Sequence, residues 1–179
     1  VTWRFAPGEQ LDYHADARVK VINKMLDDTV LQTASDDSLN LYKNGEHFKN
    51  SRVWGDHLVK NSTPVMLTNV VNNEINQAIQ DKVKQHIGDH DTTAVYQYWT
   101  SGSYIPWHND GYHKAALTIY LSEHDKDDGG YFMYDDGKGV KAVKPTPNRA
   151  VFVTGGIYHC VTTVNQGCPV RRTIQVWLK

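Results

Sequence analysis

His108 and Asp110 stand one residue apart in the stretch SYIPWHNDGYHKAALTIYL, Ser103 to Leu121. In an extended strand, positions i and i+2 project from the same side. An imidazole and a carboxylate placed in that way form two corners of a metal site. A third ligand must come from elsewhere in the chain, and His159, which opens a later β-rich run, fits that place best. Two histidines and one carboxylate on one face of an octahedral ion leave three adjacent positions open. That is the arrangement of non-haem Fe(II) centres, where one position takes dioxygen and two take a chelating cosubstrate. His-x-Asp also arises by chance, and the chain holds nine histidines. The local competitors are His113, in a GYHK turn, and His124, in an acidic turn; both read as solvated. His47 and His57 sit in no ligand pattern and read as surface residues.

The last run of the chain, RRTIQVWL, carries a second chemistry. Alternation along a strand allows at most one of Arg171 and Arg172 to point inward. Arg171 is favoured because its face continues to Thr173, Gln175 and Trp177. A buried guanidinium grips a carboxylate through two parallel hydrogen bonds, and a threonine hydroxyl can add a third. This suits the distal carboxylate of 2-oxoglutarate, whose keto acid end would chelate the metal. The competing reading is a pair of exposed charges on an edge strand.

The rest of the chain has to position these groups. With 179 residues, 40% hydrophobic residues and a net charge of −1, the sequence reads as one globular domain with its own core. The near-zero charge gives no broad attraction to nucleic acid or an anionic membrane. No window approaches the apolar length of a membrane span, and no basic-then-apolar signal pattern opens the chain. Cys160 and Cys168 form neither a metal spacing nor a disulfide framework, so a reducing, cytoplasmic setting is expected.

Pro7-Gly8 marks a turn after a short edge strand. From Ala15 to Leu31, apolar residues at Val19, Ile22, Met25, Leu26 and Val30 recur at helical spacing and predict an amphipathic helix. Ser35 to Asn61 is polar and mixed, a candidate lid. Thr63 to Val71 reads as a short strand or buried turn. Asn72 to Ile87 predicts the clearest helix, capped by Asn72 or Asn73, striped by Ile75, Ile79, Val83 and Ile87, and stopped by Gly88. From Thr92 onward eight short β-rich runs are broken by turn residues such as Asp127-Asp128-Gly129-Gly130, Asp136-Gly137 and Gly155-Gly156. The fold class is mainly β with N-terminal helices. Helical support over about residues 15–90 precedes a β core over about 92–179, a jelly roll or another two-sheet barrel with the helices outside one sheet.

His108-x-Asp110, His159 and Arg171-x-Thr173 followed by IQVWL resemble the iron and cosubstrate motifs of the 2-oxoglutarate/Fe(II)-dependent dioxygenases. Within that superfamily the chain is most similar to the prolyl 4-hydroxylase group. Tyr98 ten residues before the first ligand, IYLS at Ile119 to Ser122, Gly129-Gly130 and the VKPTPNRAVFV turn-and-strand carry that likeness. It spans roughly Val95 to Leu178. Two departures stand out: collagen-type prolyl hydroxylases typically use lysine where this chain has Arg171, and Asn148 occupies a turn that often carries glycine.

The resemblance implies a double-stranded β-helix (jelly-roll, cupin-like) core with helices packed on one sheet. It implies Fe(II) held by His108, Asp110 and His159, with 2-oxoglutarate as cosubstrate, O2, and ascorbate as a candidate reductant. The reaction would be C–H hydroxylation coupled to oxidative decarboxylation, most simply of a proline in a peptide or protein. By the same resemblance Tyr98 and Tyr120 are candidates to hydrogen-bond 2-oxoglutarate, beside Arg171 and Thr173. Thr118 shares the Tyr120 face, Trp107 and Tyr104 flank the ligands near the substrate mouth, and Cys160 points away from the metal. The alternatives are an oxygenase acting on a small molecule or nucleobase, and a non-catalytic barrel that binds metal or carbohydrate.

Overall fold

The computed structural model describes residues 18–45, 71–110 and 115–179, with the backbone of 48–49 and 66–67. In chain order the elements are β1 (Val19–Ile22), α1 (Asp28–Lys43), β2 (Phe48–Lys49), β3 (Met66–Leu67), α2 (Asn73–His86), β4 (Thr92–Trp99), β5 (Ile105–His108) and β6 (Ala115–Tyr120). Then come β7 (Phe132–Asp135), β8 (Val140–Val143), β9 (Ala150–Thr154), β10 (Tyr158–Val161) and β11 (Arg171–Leu178). Each of the eight β-rich runs expected after Thr92 forms a strand. They build two facing antiparallel sheets, a major one in the order β1-β9-β6-β11-β4-β3-β2 and a minor one in the order β5-β10-β7-β8. This is the expected double-stranded β-helix.

The major sheet separates two environments because its strands alternate. Tyr96 and Tyr98 on β4, Leu117 and Ile119 on β6, and Ile174 and Val176 on β11 turn outward and meet Ile75, Ile79 and Val83 of α2 and Ala34 of α1. These side chains are almost fully buried, in a setting where truncating an Ile to Ala costs about 2–5 kcal/mol. The other face, with Ala116, Tyr120, Val151 and Val153, looks across the barrel at Phe132 and Val143 of the minor sheet. α2 forms as the sequence predicts, with the Asn72 side chain accepting from the Ile75 amide at 2.9 Å. Gly88 leaves the helix with φ +137°.

The expected helix from Ala15 to Leu31 is not what forms. Residues 19–22 pair with β9, Val19 opposite Val153 and Ile22 opposite Ala150, and the helix begins only at Asp28. The β-branched run VKVI favours a pleated surface, and Lys24 then turns the chain at φ 54°. Asn148 fixes that turn. Its side chain accepts from the Leu26 amide and donates to the Leu26 carbonyl, both at 2.8 Å, and its own φ of 62° is one that Asn adopts more readily than most residues. Met25 and Leu26 owe their burial to this turn, so their helical spacing was a coincidence of two packed elements.

The polar run from Ser35 is not a lid where it is described, because residues 35–43 complete α1. Apart from residues 44–45 and the backbone of 48–49, the rest of that candidate lid, like the Pro7-Gly8 turn, His47, His57 and His113, lies outside the described residues. No helix among the described residues is long and apolar enough to cross a membrane.

Candidate active site

β5 and β10 are hydrogen-bonded neighbours in antiparallel register, with His159 directly opposite His108. Residues paired across such strands point to the same face, and here that face lines the barrel interior. The two imidazoles stand 4.3 Å apart at 57°. Asp110 closes the group from just beyond the end of β5 rather than from the strand itself. One of its oxygens lies 3.5 Å from His108 Nε2, and the other lies 3.3 Å from His159 Nε2.

The ring orientations follow one local rule. His108 Nδ1 bonds the Pro106 carbonyl and His159 Nδ1 bonds the Ile157 carbonyl, each at 2.8 Å and each two residues back. Carbonyls only accept, so both Nδ1 atoms carry a proton, which leaves Nε2 of each ring as the atom that can turn a lone pair to the centre and bind a metal. Phe132 stacks on His159 at 5.3 Å and 28°. Three potential ligand atoms therefore converge within 4.8 Å of one another, an arrangement that can hold a metal ion. Ligands at right angles on bonds near 2.1 Å lie about 3 Å apart, so the spacing fits a single first-row divalent ion. In the metal-free protein burial opposes the charge of Asp110, but hydrogen bonds from His108 and His159, made when their Nε2 atoms are protonated, outweigh it and hold the carboxyl well below its usual range. Burial pulls His108 down while Asp110 pulls it up more strongly, for a net rise.

A second polar group faces the same cavity. Arg171 begins β11 opposite Trp99 and is only 6% exposed. Its guanidinium lies over the Trp99 ring at 4.4 Å and near the Tyr120 ring at 5.6 Å. Nη1 donates to the Gly130 carbonyl, while Nε is buried with no partner. Among the described residues no carboxylate pairs with it, and burial pushes its pKa down to about 10. A buried cation without an anion is costly, so the structure is built for one to arrive. The site accordingly fits the iron and dicarboxylate that the residue types suggested. The cavity between the two groups is lined by Trp99, Thr118, Tyr120, Phe132, Gln175 and Trp177, among others. Thr118 Oγ1 donates to Gln175 Oε1 at 2.8 Å on its wall.

Arg172 points the other way, as alternation requires. Its Nη1 donates to the Ser35 carbonyl at 2.5 Å and to Ser38 Oγ at 2.7 Å, tying β11 to α1. Tyr120 lines the cavity as expected. Three expectations need correction. Tyr98 does not face the cavity; it is fully buried under α1, and its hydroxyl donates to the Ser38 carbonyl at 2.6 Å. Its neighbour Trp99 holds the position instead, because the register places Trp99, not Tyr98, opposite Arg171. Thr173 shares the Arg171 face, but its hydroxyl accepts from Trp99 Nε1 at 3.2 Å and donates to Gln97 at 3.4 Å. It orients the indole rather than presenting a proton to a ligand. His124 is not solvated: Nε2 bonds the Gly129 carbonyl at 2.6 Å, and its ring meets Tyr131 edge-on at 5.4 Å.

Tyr98→Phe is therefore expected to leave dicarboxylate binding at Arg171 unchanged and to cost about 1 kcal/mol of stability. Denaturant unfolding and ligand titration of the same variant check this; weakened binding at unchanged stability would return Tyr98 to the site. Trp99, Gln97 and Gly130 were missed in the sequence. Alternation from Tyr98 is the only local signal for the first two, and it does not say which face is the inner one.

Residues 93–179 match the family model described as the 2OG-Fe(II) oxygenase superfamily. No curated protein matches the sequence. Among solved structures, a Pseudomonas putida prolyl-4-hydroxylase is similar with a TM-score of 0.75 at 14% identity, covering 96% of this chain and 95% of that one. A Trichoplax adhaerens prolyl hydroxylase, solved with a hypoxia inducible factor oxygen degradation domain peptide fragment, gives 0.70 at 15% identity over 95% of this chain and 86% of that one. The viral collagen prolyl hydroxylase of Paramecium Bursaria Chlorella virus-1, solved with 2OG, gives 0.64 at 17% identity over 90% and 95%. At such identities the likeness to these structures is one of fold.

Proposed function

We propose, for a chain that belongs to the 2OG-Fe(II) oxygenase superfamily through its β core, that its reaction is hydroxylation of a prolyl residue in a peptide or protein. The chain is a 2-oxoglutarate/Fe(II)-dependent dioxygenase, using Fe(II), 2-oxoglutarate and O2. Its cofactors supply the oxidising power for C–H hydroxylation, with 2-oxoglutarate going to succinate and CO2.

The observation that carries the site assignment is the buried Arg171, paired with no carboxylate among the described residues, in the same cavity as the His108, Asp110 and His159 cluster. The protein's own contribution is to hold and to exclude. His108, Asp110 and His159 would hold the metal, their rings fixed by the Pro106 and Ile157 carbonyls. Arg171, stacked on Trp99, would grip the far carboxylate of the cosubstrate. Phe132, Tyr120 and Val153 wall the space between.

Two features support proline as the substrate. The solved relatives include prolyl hydroxylases, one of them in complex with a peptide. The cavity also offers Trp177, Phe132 and Ala116, an apolar and aromatic lining that suits a compact saturated ring. The test is to incubate the iron-loaded protein, with cosubstrate and O2, against a proline-containing peptide library and read each product by mass spectrometry. A gain of one oxygen localised to proline, with matching succinate, is the expected result. Succinate formed on a metabolite pool but on no peptide would move the substrate class to small molecules.

A further inference from the structure

Arg171 reaches its place only because residue 130 has no side chain. Gly130 is buried, with φ +64°, and a Cβ built there would lie 2.7 Å from Arg171 Nη1, 3.4 Å from its Cζ and 3.1 Å from Val164 Cγ2. The same residue's carbonyl accepts from Nη1. Of the five N–H donors of a guanidinium, Gly130 thus takes up one, and its bare Cα lets the group come this close to the backbone.

The backbone at Gly130 has little freedom to yield. Its amide donates to the Thr163 carbonyl at 3.0 Å, and the next amide, of Tyr131, donates to Thr162 Oγ1 at 2.8 Å. Gly129 pairs with Val164, and its carbonyl is held by His124 Nε2 at 2.6 Å. An added methyl at 130 would crowd Val164 Cγ2 by a few tenths of an ångström and clash outright with Arg171 Nη1, the far end of a flexible side chain, so the guanidinium is the group expected to move.

We propose that Gly130 is a positioning residue for the cosubstrate: its missing side chain and its carbonyl together set where Arg171 presents its free N–H groups. This rests on the reading of Arg171 as the carboxylate anchor. Two-point recognition of a carboxylate depends on the placement of the guanidinium plane. A displacement of about 1 Å is enough to lose it.

The test compares Gly130→Ala with Gly137→Ala as Zn(II)-loaded protein titrated calorimetrically with 2-oxoglutarate. Gly137 has φ +85° and nothing within 4 Å of a built Cβ, so that variant carries similar backbone strain without the contact. The expected result is an affinity loss of about tenfold or more in Gly130→Ala, none in Gly137→Ala, and unchanged Zn(II) retention in both. Equal affinity in Gly130→Ala and wild type overturns the role of Gly130. So does an equal loss in both variants, or loss of Zn(II) together with the ligand. If wild type itself binds no 2-oxoglutarate, the cosubstrate reading of Arg171 falls, and this inference with it. Should Gly130→Ala fold poorly, Gly130→Ala/Arg171→Lys decides, since removing the guanidinium removes the crowding. Recovery of folding supports the seat, and no recovery of folding overturns it.

Discussion

Asp110→Ala is expected to abolish turnover, with succinate release falling to background. Asp110 is the one anion among three converging acceptors, and it contacts both imidazoles, at 3.5 and 3.3 Å. Without it two neutral rings face a dication whose charge nothing offsets, and metal is lost along with chemistry. His108→Ala should behave alike, since the paired strands place its ring directly opposite His159. Succinate assays and metal content measured on the same preparations check both. Normal succinate production by either variant would refute the ligand assignment.

The same cluster predicts how metal binding responds to pH. In the metal-free protein Asp110 is depressed and His108 raised. Stability from Asp110 is present above the ordinary carboxylate pKa and lost as pH falls through its lower folded value. Stability from His108 is complete below the ordinary imidazole pKa and lost as pH rises through its higher folded value. A metal must displace the His108 proton. Ferrous affinity should therefore weaken as pH falls through the raised His108 range, beginning at higher pH than for a free imidazole. Anaerobic titrations at a series of pH values read this directly.

Arg171→Ala should weaken 2-oxoglutarate binding roughly hundredfold, about 3 kcal/mol, the scale for truncating one partner of a buried charge-assisted pair. The loss should appear chiefly as a raised cosubstrate requirement, because the iron ligands are untouched. Arg172→Ala is the matched comparison. It sits one residue on, carries the same charge, and bonds Ser35 and Ser38 of α1 instead. It should lower stability while leaving the cosubstrate requirement where it was. The reverse outcome, a raised requirement in Arg172→Ala alone, would mean that the other guanidinium is the anchor. Arg171→Ala also frees the Gly130 carbonyl, so thermal unfolding should accompany the binding measurement to separate the two effects.

Much of this was legible along the chain because strand periodicity is a local property. Arg171 could be separated from Arg172 from spacing alone, and His108 and Asp110 were rightly paired, although Asp110 reaches the site from just past β5 and not by strand alternation. The eight strands after Thr92 were marked by their own turn residues, and α2 by its cap, its stripe and Gly88. A period says which residues share a face, but not which face turns inward. On β4 the sequence pointed to Tyr98, and nothing local favoured its neighbour Trp99. The pairing of Trp99 with Arg171, 72 positions along the numbering on β11, decided between them. On β1 the apolar spacing fitted a helix, and hydrogen bonds to β9 and the Asn148 clamp made it a strand and a turn. The seat of Arg171 on Gly130 is likewise tertiary. Residue types and short spacings determined what chemistry the chain carries; the hydrogen-bond register between distant strands decided which side chains surround it, because only that register fixes the direction in which each alternating face looks.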